Sequence, residues 1–308
     1  MALSVWQAFR EGNGRVSRRK RLWLGLYALN LLFAAVIIYP FRTLVSRLAK
    51  TDLANDFISG FQFDAFIDFW NRNTYEFHAL GYLALGLGGL YLLMHVFLSG
   101  GIVATLADDR RLTSRRFFNR CGRFFWRFVR LFLLFLIVLA AIGAAYKFGL
   151  QEWIDDHKNN ATTGREAILW RALGLGILGL ALTLVLIVFD YARIRTVIDG
   201  RRSMIRAVWA SGLFCLRRMF STGPLFGLNL LIVGALFAIY LLFENLFSNA
   251  SNTSMIGLFV VQQVLVLGRI WMKLSFFATQ TAYYQSANPL APIEPDPTDR
   301  IIETAGVT

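Results

Sequence analysis

Residues 115–146 read RRFFNRCGRFFWRFVRLFLLFLIVLAAIGAAY. The first half sets six arginines among aromatic rings; from Leu131 onward there is no charge. A hydrocarbon core about 30 Å thick needs about 20 apolar residues at 1.5 Å each. Phe128–Tyr146 comes close to that length. Apart from Arg130 near its start it is apolar rather than alternating, which makes it a spanning helix and not a barrel strand.

Five further runs have the same character: Leu22–Phe41, Ala79–Leu106, Ile168–Ile187 continuing to Asp190 and beyond, Leu225–Phe243 and Met255–Ala278. The 308-residue chain is 56% hydrophobic and 17% charged, with mean hydropathy +0.51. Soluble domains average about 45–50% apolar and about 25% charged, so a soluble fold is excluded. The expected fold is all-α, a polytopic bundle of six transmembrane helices over residues 1–287, followed by a disordered tail at 288–308. Pro40 and Pro224 fall at the edges of runs one and five, and the other four prolines lie in that tail. Run one reads as a signal anchor, too long for a cleaved h-region.

The net charge of +13 points to orientation. The N-terminus to Arg21, segment 105–130 and segment 190–218 together carry 21 basic and 5 acidic residues, a net of +16. The alternate loops 40–78, 147–167 and 244–254 carry 7 basic and 10 acidic residues, a net of −3. The positive-inside rule then puts both termini in the cytoplasm, as six spans require. Cys121 and Cys215 fall on the cytoplasmic side, where thiols stay reduced, and neither has a CxxC partner. Sequons at Asn160, Asn249 and Asn252 lie in exterior loops, without further sign of glycosylation.

An offset of 90 residues aligns the ends of spans two and four: Asp109-Arg110-Arg111 with Asp199-Gly200-Arg201-Arg202, Arg116 with Arg206, Phe124 with Phe214, Arg127 with Arg217. A shorter version, Val5–Arg10 followed by Arg18–Arg21, precedes span one. The reading is three repeated hairpins, each led by a cytoplasmic interfacial amphipathic helix. The best of these is 111–128, with Phe117, Cys121, Phe124 and Phe128 on one face and Arg116, Arg120, Arg123 and Arg127 on the next. Arg116, Arg120, Arg123, Arg127, Arg201, Arg202 and Arg206 are therefore candidate contacts to anionic headgroups; the plainer alternative is that they only anchor the hairpins.

Ionisable groups inside spans are costly and are functional candidates. His95 and Asp190 each share a face with small residues, Gly81, Ala84 and Gly88 in span two and Ala172, Gly176, Gly179 and Thr183 in span four. Span six carries a stripe of Gln262, Arg269, Lys273 and Gln280. The expected polar cluster is His95, Asp190, Gln262, Arg269 and Lys273, with Asp190 paired to Arg269 or Lys273; a purely structural ion pair is the alternative. In loop 42–78, Phe57–Trp70 alternates aromatic and acidic residues and predicts an amphipathic outer helix. Gly174–Gly179 matches GxGxxG but lies inside span four with no preceding strand, a packing feature rather than a dinucleotide site. The three histidines are dispersed. No catalytic constellation, metal site or cofactor follows from the sequence.

With Phe189-Asp190-Tyr191-Ala192-Arg193-Ile194-Arg195 closing span four, and Gly100-Gly101 with Asp109-Arg110-Arg111 after span two, the chain resembles a family of uncharacterised six-span bacterial inner-membrane proteins. It is loosely similar to the membrane region of some glycerophosphodiester phosphodiesterases. No soluble phosphodiesterase segment is present, so the resemblance implies a membrane protein without assigned chemistry. The leading expectation is a non-enzymatic protein that binds or organises anionic lipid, or scaffolds a membrane-protein partner or a second copy of itself. The alternative is a small transporter or channel for an anionic solute along span six, with a membrane-embedded enzyme third. Nucleic acid is not an expected partner, because the arginines sit within a helix length of the bilayer.

Overall fold

A computed structural model describes residues 3–48, 63–108, 113–159, 163–200, 203–246 and 252–289. Arg201, Arg202, residues 290–308 of the expected tail, the Asn160 and Asn249 sequons, and Phe57 and Phe61 of the first exterior loop lie outside these. The described residues contain helices and no strand. In chain order the helices are α1 (Val5–Arg18), α2 (Lys20–Leu48), α3 (Phe63–Arg72), α4 (Thr74–Ala107), α5 (Ser114–Ala145), α6 (Gln151–Asn159), α7 (Gly164–Ile198), α8 (Met204–Arg217), α9 (Met219–Leu246) and α10 (Asn252–Ala287). Six stretches are long and apolar enough to cross a membrane: α2, α4, α5 with α6, α7, α9 and α10. The protein is an all-α, multi-pass assembly of membrane type.

Several helices outrun the expected spans. The described part of the expected interfacial helix 111–128 is not separate from span three. From Ser114 it is the first half of α5, which runs 32 residues without interruption. No proline or cap lies between Ser114 and Ala145, and extending a helix is easier than nucleating a new one. At its far end α5 passes through a π-helical turn, Tyr146–Leu150, into α6, so most of the expected exterior loop is helical. Pro40 and Pro224 sit inside α2 and α9 rather than at their edges. At 35 and 36 residues, α7 and α10 are each about 53 Å long, well beyond a core of about 30 Å.

The chain divides into two compact units. Unit Arg21–His95 pairs α2 with most of α4. Tyr91 donates to Asn30 Oδ1 at 2.6 Å and packs edge-on against Phe33. α3 covers its other end, where Phe69 is buried and Trp70 stacks on Phe77 at 4.3 Å.

The larger unit, Met1–Lys20 with Val96–Thr308, holds most of the core. That core lies at the C-terminal ends of α4 (Leu98–Ala107), α7 (Ile187–Ile198) and α10 (Ile270–Tyr284). A basic helix packs on each of these ends. On α4, Gly100 and Gly101 lie against Phe124 and Cys121 of α5, leaving no room for a side chain. On α7, α8 buries Met204, Ala207, Ser211 and Cys215. On α10, Ala8, Gly12 and Val16 of α1 are buried, with Gly12 against the Thr279 backbone. Small residues in these seams let the backbones approach closely. α1 starts with a Ser4–Gln7 capping box, and Leu3 N–H donates to Ser286 Oγ, tying it to the end of α10.

Candidate functional site

The last four carbonyls of a helix have no intrahelical donor, and its C-terminus carries partial negative charge. At α4 these carbonyls receive side chains from three directions. Arg120 donates to the Ala104 oxygen (3.2 Å), Arg15 to Leu106 (3.2 Å), Gln285 to Ala107 (2.8 Å), and Arg19 reaches Asp108. Arg120 also pairs with the Asp108 carboxylate, and both side chains are largely buried. Arg15 further holds Gln285 Oε1 at 2.7 Å.

A second knot closes α7. Asp199, its C-cap, accepts from Arg195 Nε and from the Tyr284 hydroxyl, each at 3.0 Å. Arg195 also donates to the Ala210 carbonyl of α8 at 2.7 Å. Gly200 follows at φ 64, the left-handed position that stops a helix and favours glycine. Its carbonyl accepts from Arg127 at 3.4 Å.

The candidate headgroup arginines thus divide by geometry. Arg120 and Arg127 are turned inward onto helix ends. Arg123 and Arg127 flank the buried Phe124 ring at 5.8 and 5.7 Å. Arg116 is half-buried, and Arg206 is exposed. Three exposed large apolar residues of α8, Ile205, Trp209 and Leu216, share one face, and Phe220 follows in the first turn of α9. Exposed Arg206 and Arg217 border this face. Burial pushes the Cys215 thiol of α8 up to about 12; the Asp190 charge adds to this and Arg195 opposes it.

The expected polar cluster is rearranged. Asp190 does not pair with Arg269 or Lys273: its partner is Arg193, at 3.0 Å on the same helix. One turn of α7 places that guanidinium beside the carboxylate without bringing two helices together. His95 belongs to the smaller unit, where its ring lies edge-on to Tyr91 at 4.2 Å. Gln262 is exposed on α10.

Arg269 and Lys273 nevertheless share a groove with Asp190 and Arg193. It has a volume of about 720 Å³, between α7, α9 and α10. Its other walls are apolar or aromatic, among them Val233, Phe237, Tyr240 and Leu265. Neither Arg269 nor Lys273 forms an ion pair among the described residues. Both side chains are exposed, and because a charge inside a span is costly these two cations are candidates for a ligand contact. Behind Asp190, Gln280 continues the stripe into the core, its amide buried without a hydrogen bond of normal geometry. Nearby, buried Asn229 of α9 donates to Thr279 of α10 at 3.0 Å. Among the described residues no three His, Cys, Asp or Glu side chains gather to hold a metal.

Sequence reasoning missed Arg15, Arg19, Asp108 and Gln285 around α4, the Tyr284–Asp199 link, and Arg193 as the partner of Asp190. Only the last had a local signal, the i, i+3 spacing of Asp190 and Arg193.

No family model matches the chain, and neither a curated protein nor a solved structure matches it.

Proposed function

We propose that this is a non-enzymatic integral protein of a bacterial inner membrane, with both termini in the cytoplasm, that binds and organises anionic lipid of the cytoplasmic leaflet. The observation that carries this reading is the outer face of α8 and the turn after it. Ile205, Trp209, Leu216 and Phe220 are 72%, 74%, 74% and 91% exposed, and exposed Arg206 and Arg217 flank them. Large apolar side chains bordered by arginines suit a helix lying at headgroup depth. The +16 against −3 charge partition supports the orientation. The recurrence of a basic helix on the end of α4, α7 and α10 supports three related hairpin units.

The test is lipid content. Protein excised from membranes with a polymer that keeps its lipid shell should carry more phosphatidylglycerol than the bulk membrane, and Arg206→Gln with Arg217→Gln should reduce the excess. A lipid shell identical to the bulk overturns the reading.

The groove at Arg269 and Lys273 favours a second reading, a small transporter or channel for an anionic solute. Anion flux in proteoliposomes that is lost in Arg269→Ala and unaffected by the α8 changes would put this reading in place of the first.

A further inference from the structure

The geometry points to the groove between α7, α9 and α10 as a site for one phospholipid with an anionic headgroup, held by Arg269 and Lys273 and entering sideways from the bilayer. This rests on the lipid reading above for the class of ligand, but it concerns a single saturable site, separate from the α8 surface.

Three features identify the occupant. The first is charge: the groove presents Arg193, Arg269 and Lys273 against one carboxylate, Asp190, which Arg193 already neutralises. Two cations remain on the groove wall, and a phosphodiester oxyanion is a group that such a pair holds through charge-assisted hydrogen bonds.

The second is the apolar wall. Val233, Leu236, Phe237, Tyr240 and Leu265 continue away from the cations along α9 and α10, a surface that offers a soluble anion nothing but that suits an acyl chain. Val233 and Phe237 are 40% and 61% exposed on a helix apolar enough to span a membrane. The trough therefore opens towards lipid rather than only towards the core. Its volume of about 720 Å³ lies within the about 300–1,000 Å³ of small-molecule sites.

The third is level. Arg269 lies about 20 Å along α10 from Ile256 and Lys273 about 26 Å, at 1.5 Å per residue. Arg269 thus stands near the middle of α10 and Lys273 one turn closer to the end that packs against the basic helices, while Leu265 and Tyr240 lie further from that end. A phospholipid of the leaflet on that side has the same polarity, headgroup outward and chain inward.

The experiment uses the full chain in mild detergent, titrated with three probes and read by native mass spectrometry. The probes are phosphatidylglycerol, phosphatidylcholine, and glycerol 3-phosphate, which carries a phosphate without chains. The inference expects one saturable phosphatidylglycerol adduct, weak phosphatidylcholine binding, and no displacement by glycerol 3-phosphate. Arg269→Gln and Lys273→Gln should each weaken the adduct about tenfold, and Lys273→Arg should retain it. Val233→Trp, which fills the trough while leaving every charge in place, should also remove it, so the outcome does not depend on whether the charge variants fold. Equal binding of phosphatidylcholine, full displacement by glycerol 3-phosphate, or a specific adduct insensitive to Arg269, Lys273 and Val233 would each overturn the inference. An adduct lost with these residues while the lipid shell matches the bulk would uphold this site and reject the α8 reading; enrichment without an adduct would do the reverse.

Discussion

The Tyr284 hydroxyl lies 3.0 Å from both oxygens of the Asp199 carboxylate and joins the end of α10 to the cap of α7 across 85 residues of sequence. Arg195 holds the same carboxylate and lies over the Tyr284 ring at 5.8 Å. The end of each helix is thus held by the other. Tyr284→Phe removes one hydrogen bond to a charged acceptor and should lower stability by about 2 kcal/mol. A drop in thermal unfolding temperature in detergent checks this. Asp199→Asn, which also removes the ion pair to Arg195, should cost more.

Gly12 and Gly14 lie on opposite terms within α1. A Cβ at Gly12 would fall within the Thr279 backbone, whereas at Gly14 nothing lies within 4 Å. Gly12→Ala should destabilise the α1–α10 seam by about 1–3 kcal/mol. Gly14→Ala should stabilise by up to about 1 kcal/mol through helix propensity. Equal unfolding temperatures for the two variants would contradict the close approach.

Arg120 and Arg115 sit a turn apart in α5 and differ in consequence. Arg120 is turned onto Asp108 and the Ala104 carbonyl, and Arg115 is exposed. Arg120→Ala removes the ion pair to the largely buried Asp108 carboxylate together with the donor to the Ala104 carbonyl, and should cost about 3 kcal/mol. Arg115→Ala should stay within about 0.5 kcal/mol of wild type. Chemical unfolding of both variants checks the contrast.

The buried Cys215 thiol, pushed up to about 12, should resist alkylation at pH 8 until the protein unfolds, in a Cys121→Ala background. The same shift sets a pH dependence. The folded state favours the neutral thiol, so this contribution is full below about pH 8.5, the unfolded thiol value. It is lost as pH rises towards 12, because the unfolded chain releases the proton first. Wild-type stability should therefore fall more steeply above pH 9 than that of Cys215→Ala.

The proposed orientation places Lys158 outside and Arg206 inside. Lys158→Cys and Arg206→Cys, each with Cys121 and Cys215 replaced by alanine, should separate on intact cells. A membrane-impermeant maleimide should label position 158 at once and position 206 only after permeabilisation. The reverse pattern would invert the charge argument.

Much of the fold was legible because the six long apolar runs each need a helix of spanning length and nothing remote. Their boundaries were less so. Residues 111–128 read as a separate surface helix because their aromatic and arginine periodicities are those of an interface. That pattern cannot tell whether the helix stops at Phe128 or continues. In the site, Arg269 and Lys273 were visible as charges where charge is costly. Their pairing was not: a small-residue face shows that Asp190 turns inward, but not which of three nearby cations comes within 4 Å.

The sequence by itself determined the all-α class, six runs of spanning length and the charge partition between alternate loops. These are properties of consecutive residues, decided by backbone hydrogen bonding in an apolar medium and by net charge per segment. Only the tertiary structure decided how the basic residues are used. Arg15, Arg19 and Arg120 come from segments about 100 residues apart and meet at one helix end, where unpaired carbonyls require donors. Arg269 and Lys273 instead form no ion pair among the described residues, and Asp190 is paired with Arg193. A charge's role here depends on which backbone or carboxylate oxygen lies within reach once the helices have packed, and no local pattern encodes that distance.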